Sequence, residues 1–189
     1  MSPQQIQDQF AVNVFGAMHV LRAVLPGFRA RGHGLVLVTS SAGARVGLPT
    51  SEIYISSKFA LEGFFESIWS ELRAVGVGVK LIEPGGVDTD FHEIADRRTA
   101  AGGGIEIYED MYRKIVTVRD LIIDSGELAS PKAVADAIFI AATDNTGRLR
   151  YVVGEDEAAL VSAVYGKSEA EVLGMIANQY GLPEIAPGA

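Results

Sequence analysis

Tyr54 and Lys58 stand four residues apart in Tyr54-Ile55-Ser56-Ser57-Lys58. On a helix that spacing puts both side chains on one face. A phenol has a reference pKa of about 10 and is a poor base at neutral pH. A nearby ammonium favours the phenolate, so the pair is a tuned acid/base for moving a proton at a hydroxyl or carbonyl oxygen. Of the six tyrosines, Tyr54 alone has a lysine four residues on. Ser41, thirteen residues before Tyr54, is a further hydroxyl of the same candidate site.

These residues need elements to hold them. Leu35-Val36-Leu37-Val38-Thr39 is a continuous apolar run between turn signals, which predicts a strand buried on both faces. Residues 40–51, rich in Ser, Gly, Thr and Pro, form a loop. A long helix is expected over 52–74, stopped by Gly76 and Gly78, and a second strand over 79–82, ending at Pro84-Gly85-Gly86. Strand, helix, strand is a βαβ crossover and implies a parallel sheet with helices on its faces. Ligands in such sheets bind off the carboxyl ends of the strands, where Ser41 and the Pro84–Thr89 stretch both fall.

The chain opens directly on a helix. Ser2 is its N-cap, Pro3 its first residue, and Gln5 completes a capping box. Ile6, Phe10, Val14, Leu21 and Leu25 continue it at helical spacing, and Pro26-Gly27 is expected to kink or end it. Beyond the second strand, 100–104 reads as a flexible patch and 107–123 as an inserted amphipathic helix. A helix from Ser130-Pro131 to about Thr143, a third strand over 150–153 and a last helix capped by Ser168 and Glu171 complete the chain. The absence of repeats makes 1–189 one α/β domain.

Composition limits the rest. There are 189 residues, 48% of them hydrophobic, with 16 Lys+Arg against 24 Asp+Glu and a formal charge of -8. An acidic chain without a basic cluster argues against nucleic acid or an anionic membrane as a partner. Cysteine is absent, so disulfides and thiolate chemistry are excluded. No uninterrupted apolar run reaches about 18 residues and the polar N-terminus lacks a signal peptide's pattern, so no membrane span and a cytoplasmic location are expected. His19, His33 and His92 share no metal-ligand spacing. Lys80, alternating outward on its strand, and the carboxylates of Glu83, Asp88 and Asp90 are expected to be solvated.

Together these pieces resemble the short-chain dehydrogenase/reductase family. The matching segments are Val12-Asn13-Val14-Phe15-Gly16, Thr39-Ser40-Ser41-Ala42-Gly43, Gly47-Leu48-Pro49, Tyr54-Ile55-Ser56-Ser57-Lys58 and Pro84-Gly85-Gly86-Val87-Asp88-Thr89, in the family's order and spacing. The resemblance is close over 3–91 and loose beyond. It implies a partial Rossmann-like, doubly wound parallel sheet. The catalytic motif would span 13–89, a variable substrate loop about 91–128 and a helix-strand-helix portion 130–182.

The resemblance also implies roles. Tyr54 would be the general acid/base, and Lys58 would lower its pKa and hydrogen-bond the nicotinamide ribose. Ser41 would bind the substrate oxygen, and Asn13 would hold a water linking Lys58 to solvent. Pro84, Gly85, Val87 and Thr89 would cradle the nicotinamide. The reaction would be hydride transfer between NAD or NADP and a small-molecule alcohol/carbonyl pair. Homo-oligomers would form through helices 3–25 and 52–74.

The family's first half, with its Gly-rich dinucleotide turn, has no counterpart here, so an N-terminally truncated member with a bare edge at Leu35–Val38 is expected. Two alternatives stand beside this reading. One is a non-catalytic remnant or interaction partner that pairs through that edge and the helical face. The other is a hydrolase using a Ser41/Lys58 dyad, although no Gly-x-Ser-x-Gly elbow is present. The Arg148–Gly154 stretch faintly resembles members acting on apolar carbonyls such as steroids or retinoids.

Overall fold

A computed structural model of the chain describes residues 2–91, 105–124 and 128–182. The expected flexible patch at 100–104 and His92 lie outside them, as does part of the 91–128 loop. Three parallel strands, β1 (Gly34–Thr39), β2 (Val77–Pro84) and β3 (Arg150–Val153), form one sheet in the order β1-β2-β3. Val38 pairs with Leu81 and Ile82 with Tyr151, so all three strands end at one edge.

The N-terminal helix begins as expected. In α1 (Pro3–Phe10) the Ser2 hydroxyl accepts from Gln5 N–H, and Ser2 N–H donates to Gln5 Oε1 at 2.7 Å. A π-helical turn, Ala11–Phe15, joins it to α2 (Gly16–Arg31). The irregularity therefore lies at Asn13 and not at Pro26, which α2 runs straight through. Pro26 removes one helical N–H, and it sits on the solvent side, where water can take the freed carbonyl. Taken together, Pro3–Arg31 is 29 residues with a mean hydropathy of 1.3 in its most apolar stretch. By length and composition it is one helix that could cross a membrane, where none is expected from uninterrupted runs. In this fold it lies against the sheet, with Val14 and Leu21 buried.

The βαβ crossover follows the reading closely. A 3-10 turn, Ala42–Arg45, follows β1, and α3 spans Glu52–Ala74. The return to β2 passes Gly76 at φ 79°, where a Cβ would lie 1.9 Å from the Gly32 carbonyl oxygen, so no other residue fits. Further along come α4 (Glu109–Asp124), α5 (Pro131–Thr143), α6 (Glu155–Gly166) and α7 (Glu169–Gln179). The sequence reading has no counterpart for α6. Its Ala158, Leu160 and Val164 follow directly on a strand, and Gly154 at φ 113° turns the chain between the two.

Helices cover both faces of the sheet. Val38, Val79 and Leu81 pack with Leu21, Leu61, Phe65 and Leu72 of α2 and α3. Ile82, Tyr151 and Val153 pack with Ala141 of α5 on the other side. Each fully buried apolar side chain of this kind contributes about 1.5–3 kcal/mol. A strand covered on both faces has no outward side, which corrects the expectation for Lys80. It is 5% exposed, pairs with Asp144 at the end of α5, and sits 5.4 Å from the Tyr151 ring centroid. Burial alone would lower its pKa, but the hydrogen bonds to Asp144 and Tyr151 raise it. As expected, β1 is an edge strand among the described residues. A groove of ≈ 520 Å³ runs along it, lined by Val20, Leu35, Val36, Leu37 and, at one end, Asn13 and Lys58.

Candidate active site

Ser41, Tyr54, Lys58 and the Pro84–Thr89 stretch converge at the carboxyl edge of the sheet. Ser41 leaves β1 in extended conformation (φ -160°, ψ 146°) and caps the 3-10 turn. Its hydroxyl accepts from Gly43 N–H at 3.1 Å, and it is the side chain that opposes the upward push of burial on the Tyr54 phenol. Gly43 is required by packing. A Cβ there would lie 2.8 Å from Ile55 Cδ1 and 3.4 Å from Ser41 Oγ.

Tyr54 is on the first turn of α3, after Thr50, which takes φ 63°. A β-branched residue in that region is strained. The Tyr54 ring packs against Phe91 with centroids 5.4 Å apart. Lys58 Nζ lies 5.7 Å from the Tyr54 ring centroid and donates to the Thr39 carbonyl at 3.1 Å.

The electrostatics depart from the simple Tyr-Lys picture. Burial pushes the Tyr54 phenol up, and the hydrogen bond from Ser41 opposes this in part. Burial also lowers Lys58, while the Glu62 carboxylate one turn on raises it. Ser41, more than Lys58, favours the phenolate of Tyr54.

Asn13 reaches the site from the π turn. Its Nδ2 donates to Ser57 Oγ at 3.0 Å, and Ser57 donates to the Tyr54 carbonyl at 2.6 Å. Ser57 and Thr39 are thus supporting residues that the sequence reading did not single out. The signal for Ser57 is its place three residues after Tyr54, on the helix face turned toward Asn13.

The Pro84–Thr89 stretch is pinned by its backbone. Gly85 N–H donates to the Val153 carbonyl at 3.1 Å, and Asp88 N–H to the Ala129 carbonyl at 3.0 Å. Val87 bridges Ala129, and Thr89 Oγ1 donates to the Val87 carbonyl at 3.4 Å. A Cβ on Gly86 would lie 2.6 Å from Leu128. Glu83, expected to be a solvated loop carboxylate, is instead fully buried on β2 against Arg45. The strand continues through Pro84, so no loop begins there.

This arrangement can exchange a proton through Tyr54, hold an oxygen between Ser41 and Tyr54, and present a cation beneath it. A Ser41/Lys58 dyad is not what the hydrogen bonds form. Lys58 is bound to the Thr39 carbonyl, and the Ser41 hydroxyl to Gly43 N–H.

Residues 1–99 match the family model described as short chain dehydrogenase. An uncharacterised oxidoreductase of Schizosaccharomyces pombe is 34% identical, over 80% of this chain and 62% of the relative. Human 17-beta-hydroxysteroid dehydrogenase type 1 is 35% identical, over 76% of this chain and 44% of its own length. Among solved structures, a short-chain dehydrogenase from Streptomyces avermitilis superposes with a TM-score of 0.72 at 26% identity, over 95% of this chain and 64% of that one. One from Burkholderia cenocepacia in complex with NADP superposes at 0.66 with 19% identity, over 93% and 60%. The chain therefore spans less than two thirds of the length of these relatives. With the matched model covering the whole of the Asn13, Ser41, Tyr54 and Lys58 constellation, the chain belongs to the short-chain dehydrogenase family.

Proposed function

We propose that the chain carries the catalytic portion of an NAD(P)(H)-dependent oxidoreductase that interconverts an alcohol and a carbonyl, with Tyr54 as general acid/base. The observation that carries this reading is the convergence of Ser41, Tyr54 and Lys58 at the carboxyl edge of a parallel sheet, with the Lys58 ammonium 5.7 Å from the Tyr54 ring centroid.

The residues present fit the nicotinamide end of the cofactor. Pro84, Gly85, Val87 and Thr89 lie on a backbone stretch fixed to Val153 and Ala129, and Tyr54, whose ring meets Phe91 just past that stretch, would share the ribose with Lys58. The sequence holds no Gly-x-Gly-x-x-Gly for the pyrophosphate. When bound, the nicotinamide supplies the hydride acceptor or donor. Ser41 holds the substrate oxygen and stabilises charge developing on it. Tyr54 takes the hydroxyl proton in oxidation and returns it in reduction. Lys58, held by Thr39, keeps a positive charge near the phenolate as it forms. Asn13, anchored through Ser57, would hold the water that relays the proton to solvent.

The relatives named for hydroxysteroids and the retinol dehydrogenase 8 matches, one of them at 34% identity over 73% of this chain, support an apolar hydroxyl compound as substrate. Val12 (75% exposed), Val20 (64%) and Phe59 (44%) support helices 3–25 and 52–74 as a homo-oligomer face.

The test is a fluorescence titration with NADH and NADPH, followed by oxidation assays on a hydroxysteroid and on retinol. Tyr54→Phe is expected to slow hydride transfer by roughly 10²–10⁴-fold while sparing cofactor binding. A Phe variant that keeps its rate overturns the assignment. Failure to bind either nucleotide overturns catalysis by this chain alone.

A further inference from the structure

A second group of ionisable side chains lies one helical turn beyond Lys58, outside the chemistry described above. Glu62 of α3 is 4% exposed and Glu83 of β2 is 0% exposed. Two arginines enclose them. Arg45 Nη2 lies 2.5 Å from Glu83 Oε1 and 3.5 Å from Glu62 Oε2. Arg150 Nε lies 3.2 Å from the same two oxygens, and its Nη2 reaches the outer Glu66 at 2.5 Å. The Arg45 guanidinium also sits 5.4 Å from the Tyr165 ring centroid and donates to its hydroxyl.

The two carboxyl groups converge on the same two guanidinium nitrogens, Arg45 Nη2 and Arg150 Nε, and so lie side by side in the interior. Glu62 Oε1 and Glu83 Oε2 are buried and have no charged or N–H partner among the described residues. Two carboxylates so placed do not both ionise readily; the Ser40 hydroxyl beside Glu62 can serve one of these oxygens, and a single proton between the pair gives the other a donor. Arg45 is the last residue of the short turn that Ser41 begins.

We propose that Glu62 and Glu83 hold one proton between them, and that the clamp they close on Arg45 is a positioning device that sets the Ser41 hydroxyl against Tyr54. The groups facing the pair are Ser40 and Arg45 from the turn, Lys58 and Glu66 from α3, Arg150 from β3, and Tyr165 of α6 through Arg45. Burial and the neighbouring Glu62 charge, opposed by Arg45, push Glu83 up to about 7. The arginines are therefore matched by one full negative charge on the buried pair and by Glu66 outside. The clamp rests on the proposed roles of Ser41 and Tyr54 only for its catalytic consequence, since its geometry is readable without turnover.

The experiment uses the full chain and two readouts. With glutamate labelled at the side-chain carboxyl carbon, an NMR pH titration should show one carboxyl titrating far above the remainder. Its signal should be lost in Glu83→Gln, which mimics the protonated acid and should fold. If every glutamate titrates in the ordinary carboxylate range, the shared proton is wrong.

The second readout is the ultraviolet titration of Tyr54, taken as the difference from Tyr54→Phe. Arg45→Met should raise the Tyr54 titration as far as Ser41→Ala does, and Arg45→Lys should restore part of the shift. A purely structural Arg45 would lower the melting temperature of Arg45→Met and leave Tyr54 unmoved, which overturns the positioning role. Because neither readout needs turnover, a chain that shows both effects but transfers no hydride contradicts the proposed activity and leaves the clamp intact.

Discussion

Lys58 donates its ammonium to the carbonyl of Thr39 at 3.1 Å, tying the helix that carries Tyr54 to the end of the strand that leads into Ser41. The bond spans the two elements of the site that are furthest apart in the loop between them. It fixes the register between α3 and β1 where an error of 1 Å would separate the Ser41 and Tyr54 hydroxyls. It also leaves the ammonium near the Tyr54 ring and not on Ser41, the arrangement on which the proposed roles of Tyr54 as acid/base and Ser41 as oxygen-binding hydroxyl both depend.

Ser41→Ala tests that division of labour. Tyr54 is raised by burial and lowered by Ser41, so removing the hydroxyl moves the phenol further up. The pH profile for alcohol oxidation, which needs the phenolate, should shift to higher pH. Carbonyl reduction, which needs the neutral phenol, should keep its rate to higher pH before falling off. Both rates at their optima should drop by about 10²-fold or more with the loss of one oxyanion donor. Steady-state rates from pH 6 to 11 in both directions check the shift, and an unmoved profile would separate Ser41 from Tyr54.

Thr50 holds φ 63° immediately before α3. Left-handed backbone costs a non-glycine residue about 1–2 kcal/mol. Thr50→Gly should recover part of this, offset by the glycine's greater freedom when unfolded, and leave a net gain of under about 1 kcal/mol. Thermal unfolding of the two chains measures it. A loss of stability would mean that the Thr50 side chain makes contacts worth more than the strain.

The pH dependence of stability has a definite sign at Glu83. Its folded pKa is raised from 4.5 to about 7, so the unfolded chain gives up this proton first as pH rises. The stability associated with the protonated group is complete below about 4.5 and is lost as pH rises through about 7. Glu83→Gln removes the titration. The difference in melting temperature between variant and parent should therefore grow in the variant's favour from pH 5 to pH 8, and a constant difference would place the Glu83 pKa in the ordinary range.

The site was legible where chemistry and spacing coincide. Tyr54 and Lys58 at four residues announce one helix face, and the apolar run 35–39 with its Ser-rich loop announces a strand ending at a ligand edge. What was not legible depends on long-range contacts. Glu83 and Lys80 read as solvated because a local pattern cannot show that α3 and α5 close over both faces of β2, nor that Arg45 and Asp144 wait there. The break at Ala11–Phe15 has no composition signal, whereas Pro26, which has a strong one, causes none, because the helix flank it occupies is open to water. Helix α6 was missed for a related reason. Its apolar residues Leu160 and Val164 pack in one cluster with Val172, Ile176 and Val46, and Val46 lies far upstream, in the turn region after β1.

Gly43 concentrates several of these constraints in one residue. Its N–H holds the Ser41 hydroxyl, and its open side faces Ile55 of the helix that bears Tyr54. Gly43→Ala would place a methyl group 2.8 Å from Ile55 Cδ1, closer than carbon atoms pack without movement, and in contact with Ser41 Oγ at 3.4 Å. Ile55 is buried, so either its terminal methyl turns aside within the core or the turn lifts away from α3. Overpacking of this kind costs about 1–3 kcal/mol. The larger effect should fall on catalysis, because a displaced turn carries Ser41 with it while leaving Tyr54 and Lys58 on α3. The variant should lose kcat by more than its loss of folded fraction explains, with little change in cofactor affinity. The double variant Gly43→Ala/Ile55→Val makes room for the methyl group and should recover most of the rate. Recovery of stability without recovery of rate would mean that Gly43 serves the loop fold and not the position of Ser41.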